Sequence, residues 1–305
     1  MEYNKSVRAP LGSTLLATKD KPFTNSLGMQ FVPVPGTDVL FCIHETRKSD
    51  YAKYAAETPG TDNSWEKTGF GNPPVVPGDD HPVIMVSWED AVAFCSWLSA
   101  KDGRKYRLPT DNEWSHAVGI GRKEKKGETP ERLRGSEPYA FPWGNEFPPS
   151  PKAGNYADTT YGEANPGASH MASYKDGYAW TAPVMSFTPN RLGLYDLGGN
   201  VLEWCDDWFN EKRIDRVVRG GSWFEVLRIG ILSSARRHTK DGDAAPAIRD
   251  NRIGFRVVLD TRAPAITSET ATKPATPTPP LPRRQSPRLP HRPPPPRATS
   301  PTASA

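Results

Sequence analysis

From about Gly119 to Phe187 the chain loses every helical or alternating hydrophobic period. Turn-rich islands, FPWGN, GNYAD and KDGYAWTAPV, take its place. An irregular stretch of that length inside a compact domain needs something to hold it. The chain therefore has to fold around loops, with regular elements on the flanks and a fixed centre for the irregular part. Composition agrees: hydrophobic residues are only 36%, but nine Trp and ten Tyr supply large buried areas. The 33 Pro and 25 Gly argue for modest helix content.

The flanks carry readable elements. Phe31-Val32 and Val39–Ile43 read as two short strands around a Pro-Gly turn. Ser49 is the expected cap of a short helix whose Tyr51, Tyr54 and Ala55 share a face. In VSWEDAVAFCSWLSAKDG, Ser87 is the N-cap and Asp90 the N3 residue. Ala91, Phe94, Cys95 and Leu98 follow the i, i+3, i+4, i+7 rule, and Gly103 is the stop. In RLPTDNEWSHAVG, Thr110 and Glu113 form a capping box, with Trp114 and Ala117 facing inward. RIGFRVVL reads as a terminal strand. Residues 1–24 read as a leader or linker.

The last residues, 263–305, are rich in Pro, Ser, Thr and Arg and bury too little apolar area to offset ordering entropy. Disorder with polyproline II character is expected there. Arg284-Gln-Ser-Pro287-Arg-Leu-Pro290 fits an SH3-ligand pattern, against the alternative of a chance PxxP. This tail holds six Lys/Arg and one acid, so of the chain's net +4 the residues before it carry −1. The basic charge is the tail's, and a nucleic-acid-binding core is excluded. No run of about 18 apolar residues exists, so no membrane span is expected. The N-terminus lacks a basic n-region followed by an apolar stretch; no secretory signal is read, and the compartment is cytoplasmic by default. Cys42, Cys95 and Cys205 are distant, odd in number and form no CxxC, so neither a disulfide framework nor a zinc site is expected.

Two clusters offer oxygen ligands. Asp196-Leu-Gly-Gly-Asn-Val-Leu-Glu203 has a carboxylate at each end of a flexible backbone, and Asn155-Tyr156 with Asp176-Gly177-Tyr178 forms a second set. Calcium takes six to eight oxygens from carboxylates, amides and carbonyls. The alternative is a plain turn with solvated acids. The six histidines, at 44, 81, 116, 170, 238 and 291, show no HxxxH spacing, and His81 reads as a satisfied loop histidine. Arg219, Arg236, Arg249 and Arg256 are expected in ion pairs with Asp206, Asp207, Asp250 and their neighbours, against the alternative of an anion site.

Six islands in order, PVIMVSWEDAVAFCSWLS, YRLPTDNEW, FPWGN, GLYDLGGNVLEW, VVRGGSW and NRIGFRVV, resemble the formylglycine-generating enzyme, or sulfatase-modifying factor, family. The resemblance runs from about Asn25 to Asp260. It implies a C-type-lectin-like α+β single domain over 25–262 with little regular secondary structure. It also implies two structural calcium ions. The first would be held by Asn155, the Tyr156 carbonyl, Asp176 and the Tyr178 carbonyl. The second would use Asp196, the Gly199 and Val201 carbonyls and Glu203, with Asp196 replacing the family's common Asn.

The family's oxidases hold copper(I) on two cysteines five residues apart after the RGGS motif, and soft thiolates are what that ion requires. Here those positions, counted without gaps, are Glu225 and Gly230, and no cysteine follows Cys205. The resemblance therefore implies a non-catalytic, calcium-stabilised binding or regulatory module, with no copper expected. The alternative is an oxidase converting a substrate cysteine to formylglycine. The former substrate groove would be lined by Trp223, Phe224, Glu225, Arg228, Arg236 and His238, and its ligand, whether protein, peptide or small molecule, is left open. TKDKPFTNSLGMQF resembles a junction to an upstream signalling domain.

Overall fold

The computed structural model describes residues 16–71, 75–134, 136, 140–144, 149–150, 152–226, 237–238 and 244–262. All of them belong to one compact unit, Met1–Ala271, and the Pro/Arg-rich tail lies outside the described residues.

Two sheets frame the fold. The larger has the order β1-β2-β3-β9-β4, from Phe23–Thr24 (β1), Gln30–Pro33 (β2), Val39–Cys42 (β3), Tyr106–Arg107 (β4) and Val258–Asp260 (β9). All its pairings are antiparallel. Its first strand falls within 1–24, where the sequence pattern placed a leader. The smaller sheet, β7-β6-β5-β8, uses Leu202–Trp208 (β5), Arg216–Arg219 (β6), Arg237–His238 (β7) and Ile253–Phe255 (β8). There β5 and β8 run parallel.

The stretch RIGFRVVL is not one strand. Phe255 pairs with Trp204 in the small sheet, while Val258 pairs with Phe41 in the large one. The break falls at Arg256, whose guanidinium is fully buried between the sheets. It donates to Glu203 (2.7 Å), to the Cys42 carbonyl (3.1 Å) and to the Tyr195 carbonyl (2.7 Å). One side chain thus joins β3, β5 and the loop before β5.

Helix α1 spans Lys48–Glu57 and α2 spans Trp88–Asp102. Ser49 is not the cap of α1: the N-cap is Arg47, and the Asp50 carboxylate accepts from the Arg47 backbone N–H and guanidinium. Ser49 sits inside the helix because its backbone N–H already donates to Asp79 O, as that of Lys48 does to His81 O. In α2 the reciprocal Ser87–Asp90 capping box forms, and Gly103 ends the helix at φ 65°. Its Ala91, Phe94, Cys95 and Leu98 are buried. Phe94 stacks on Tyr51 (5.9 Å, 14°) and meets Phe255 edge-on (5.4 Å, 67°), which locks both helices to the small sheet. Helix α3, Asp111–Val118, has the Thr110–Glu113 box and buries Trp114 and Ala117. Short helices α4 (Pro130–Leu133) and α5 (Thr159–Ala164) are the regular turns described within the irregular stretch. Among the described residues no helix is long and apolar enough to cross a membrane.

Candidate functional site

Asp176 organises the first oxygen cluster. Its carboxylate accepts from the backbone N–H of Tyr156 (2.9 Å) and of Tyr178 (2.8 Å), so three of the four expected residues meet. Asn155 follows on the adjacent backbone and is fully buried. Its Nδ2 donates to the Trp180 carbonyl (2.7 Å) and to Asn200 Oδ1 (3.1 Å), which leaves Oδ1 without a hydrogen-bond partner. A buried amide oxygen left bare costs free energy unless a cation or water meets it. Asp158 stands behind Asp176 and accepts its backbone N–H. Burial, then the nearby Asp158 charge, pushes the Asp176 carboxyl up to about 7 against the pull of the two backbone donors. These groups fit a hard cation.

The second cluster is denser. Asp196 (φ 56°), Gly199 (φ 86°) and Asn200 (φ 60°) all adopt left-handed backbone, and this folds the segment back on itself. Asp196 Oδ2 accepts from Met185 N–H (2.8 Å), and its Oδ1 is buried and unpartnered. Burial pushes this carboxyl up to about 6. Glu203 is 1% exposed and accepts from Arg256 and from Trp114 Nε1 (3.0 Å). A carboxylate has about four acceptor sites, so Glu203 can share with a cation. Glu45, fully buried, adds a third acid: it accepts from Asn200 Nδ2 (2.7 Å) and Val201 N–H (3.2 Å). Burial and the charges of Asp196 and Glu203 hold its carboxyl well above the usual range. Three buried carboxylates face one guanidinium, so charge balance there demands protons or a cation.

The two clusters abut. A Cβ on Gly199 would lie 2.4 Å from Asn155 O, so only glycine lets the loops approach that closely. Asn200 bridges them, bonded to Asn155, Ala182 and Glu45. Glu45, Asn200 and Asp158 are the residues that sequence reasoning missed; Asn200 lies within the acid-flanked segment, yet its role depends on partners 45 and 155 residues away. Among the described residues no three His, Cys, Asp or Glu side chains gather in a metal-binding group, so both clusters rely on amide and carbonyl oxygens as well.

The expected groove is only partly described. Trp223 is buried against Phe70 and Tyr161, and Glu225 is 9% exposed. Phe224 is 44% exposed, edge-on to Tyr161 (6.0 Å) and with the Arg252 guanidinium 5.5 Å from its centroid. Arg228 and Arg236 lie outside the described residues. His238 is described as backbone in β7, paired with Val218.

All three cysteines are free and buried, and burial pushes the Cys42 thiol up to about 12. Of the four arginines expected in ion pairs, the three described ones form them, with acids other than Asp206, Asp207 and Asp250. Arg219 meets Asp111 (2.6 Å), Arg249 meets Asp90 (2.7 Å), and Arg256 meets Glu203. His81 Nδ1 lies 3.0 Å from Thr181 Oγ1, a satisfied loop contact.

Residues 18–261 match the sulfatase-modifying factor enzyme 1-like domain. The formylglycine-generating enzyme of Bos taurus is 34% identical over 242 residues, covering 72% of this chain and 55% of the bovine protein. The inactive C-alpha-formylglycine-generating enzyme 2 of the same organism is 34% identical over 195 residues, covering 61% and 55%. The chain thus spans about half the length of these curated relatives. PvdO from Pseudomonas aeruginosa superposes with a TM-score of 0.51 at 24% identity, covering 73% of this chain and 80% of that one, a likeness of fold. Its relatives include both active and inactive proteins, and the chain belongs to the sulfatase-modifying factor enzyme 1-like domain family.

Proposed function

We propose that this chain is a non-catalytic, calcium-stabilised binding module with a C-type-lectin-like arrangement, in which the family's scaffold is kept and its oxidation chemistry is gone. The observation that carries the reading is the donor set. Copper(I) needs accessible thiolates, and the positions after the RGGSW turn supply none. The three cysteines present are buried, and a buried free cysteine behaves as a small hydrophobe. Calcium needs oxygens, and two bare buried ones, Asn155 Oδ1 and Asp196 Oδ1, stand in the two clusters. Asn155, Asp176 and the Tyr156 and Tyr178 carbonyls would hold one ion. Asp196, Glu203 and the Gly199 and Val201 carbonyls would hold the other. Their role would be to fix the irregular stretch, leaving the exposed Phe224 to face a ligand.

Metal analysis of the purified full chain, equilibrated with both ions and then desalted, tests this reading. Bound calcium without copper supports it; stoichiometric copper overturns it. The alternative, an active sulfatase-modifying oxidase, draws on the identity to the bovine formylglycine-generating enzyme. Aldehyde formation on a cysteine peptide would favour it.

A further inference from the structure

On another part of the surface, the turn ending α3, the Phe141–Gly144 turn and the loop before β5 enclose a cavity of about 480 Å³. A second cavity of about 410 Å³ shares Gly119 and Arg191 with it. The two adjoin at these residues and differ in chemistry. The first compartment is walled by Phe141 and Trp143, whose rings are parallel and 4.9 Å apart, with Ile120, Leu194 and Leu197. The second has no acidic lining residue and carries His116, Arg122 and Arg191. Lys123 lines the first, where Asp196, the acid of that compartment, is buried.

The cleft is braced before any ligand arrives. Asn190 Oδ1 accepts from the N–H groups of Leu192 (2.9 Å) and Leu194 (3.1 Å), while Nδ2 donates to Ala117 O (2.9 Å), which ties the loop to α3. Gly119 has φ 99°, and Arg191 Nη2 lies 3.8 Å from where its Cβ would be. The His116 ring is seated between two glycines: a Cβ on Gly36 or Gly121 would come within 2.6 or 2.4 Å of it. Its Nδ1 faces the Pro35 carbonyl at 3.1 Å, so Nδ1–H donates there and Nε2 is the ring atom left to act elsewhere.

We propose that this cleft binds a phosphorylated ligand carrying a planar ring, of nucleotide type. The ring would sit in the aromatic compartment, whose size falls in the range of small-molecule sites. The phosphate would sit at the Arg191 fork, a geometry suited to phosphate oxygens, with Arg122 adding charge and the His116 ring lining the same compartment. The site is separate from the Phe224 surface and does not depend on its role.

Calorimetric titration of the full chain with adenosine monophosphate, adenosine and inorganic phosphate tests the proposal. Adenosine monophosphate should bind, with each fragment weaker by at least about tenfold, because each engages one compartment. Arg191→Glu should weaken it by about tenfold or more, with the thermal midpoint unchanged because Arg191 is exposed. Lys175→Glu, a charge reversal at an exposed site outside the cleft, should leave it unchanged. Absence of binding at millimolar adenosine monophosphate, phosphate binding as tightly as the nucleotide, or equal loss in both variants would each overturn it.

Discussion

Glu203 and Arg256 meet at 2.7 Å with both side chains buried, and through this pair the two sheets are joined. Arg256 sits where the chain leaves β8 and enters β9, so its charge cannot move without disturbing both. Removing one partner strands the other charge in a dry interior, which costs about 3–5 kcal/mol. Arg256→Met should therefore lower unfolding stability by that amount, measured by urea denaturation. Arg256→Met with Glu203→Gln should cost less than the sum of the singles.

Gly199 is fixed by two independent constraints, φ 86° and a would-be Cβ 2.4 Å from Asn155 O. Gly199→Ala should destabilise by roughly 2 kcal/mol or more, since either strain or a shift of the Asn155 backbone must follow. Gly60→Ala, which has φ 90° but open space around it, isolates the backbone contribution and should cost less.

Calcium should act as a structural ligand. Chelation should lower the melting temperature by several degrees, and readdition should restore it in proportion to the logarithm of calcium concentration. Asp196→Ala should shrink the chelator-induced shift, because it removes an oxygen that has no protein partner. A midpoint indifferent to chelator in the unsubstituted protein would contradict the assignment.

His44 gives a pH signature. Its Nδ1 lies 2.7 Å from Glu45 O, and burial lowers its pKa to about 4. In the unfolded chain the ring takes up its proton near pH 6.5. Between those values the unfolded state binds more protons, so stability is lost as pH falls from about 6.5 towards 4. Comparison with His44→Gln separates its contribution from those of the other titrating groups. The unsubstituted protein should lose roughly 2–3 kcal/mol relative to the variant between pH 7 and 4.

The helices were legible because their ends are local chemistry. Ser87 with Asp90 and Thr110 with Glu113 are reciprocal bonds made within one turn, and Gly103 stops a helix by its own conformation. The cap of α1 was misread because the contacts that settle it come from Asp79 and His81, far along the chain. The break at Arg256 was equally hidden: β8 and β9 are both apolar, and only the partners of Arg256 put them in separate sheets. At the site, the acids were visible as a pattern, and Asp176 does gather Tyr156 and Tyr178. Glu45 was not visible, since its partner Asn200 is 155 residues away and nothing in HET marks a buried acid. Trp223 is buried against Phe70 and Tyr161, contacts that no local pattern around RGGSW announces.

The most direct trial of the account is oxidation itself. The purified chain, supplied with copper(I), oxygen and a sulfatase-type cysteine peptide, should leave the peptide mass unchanged over many hours, while a formylglycine-generating enzyme converts it. Time-dependent appearance of the aldehyde with this chain, at a rate above copper alone, would contradict the claim that the scaffold has outlived its chemistry.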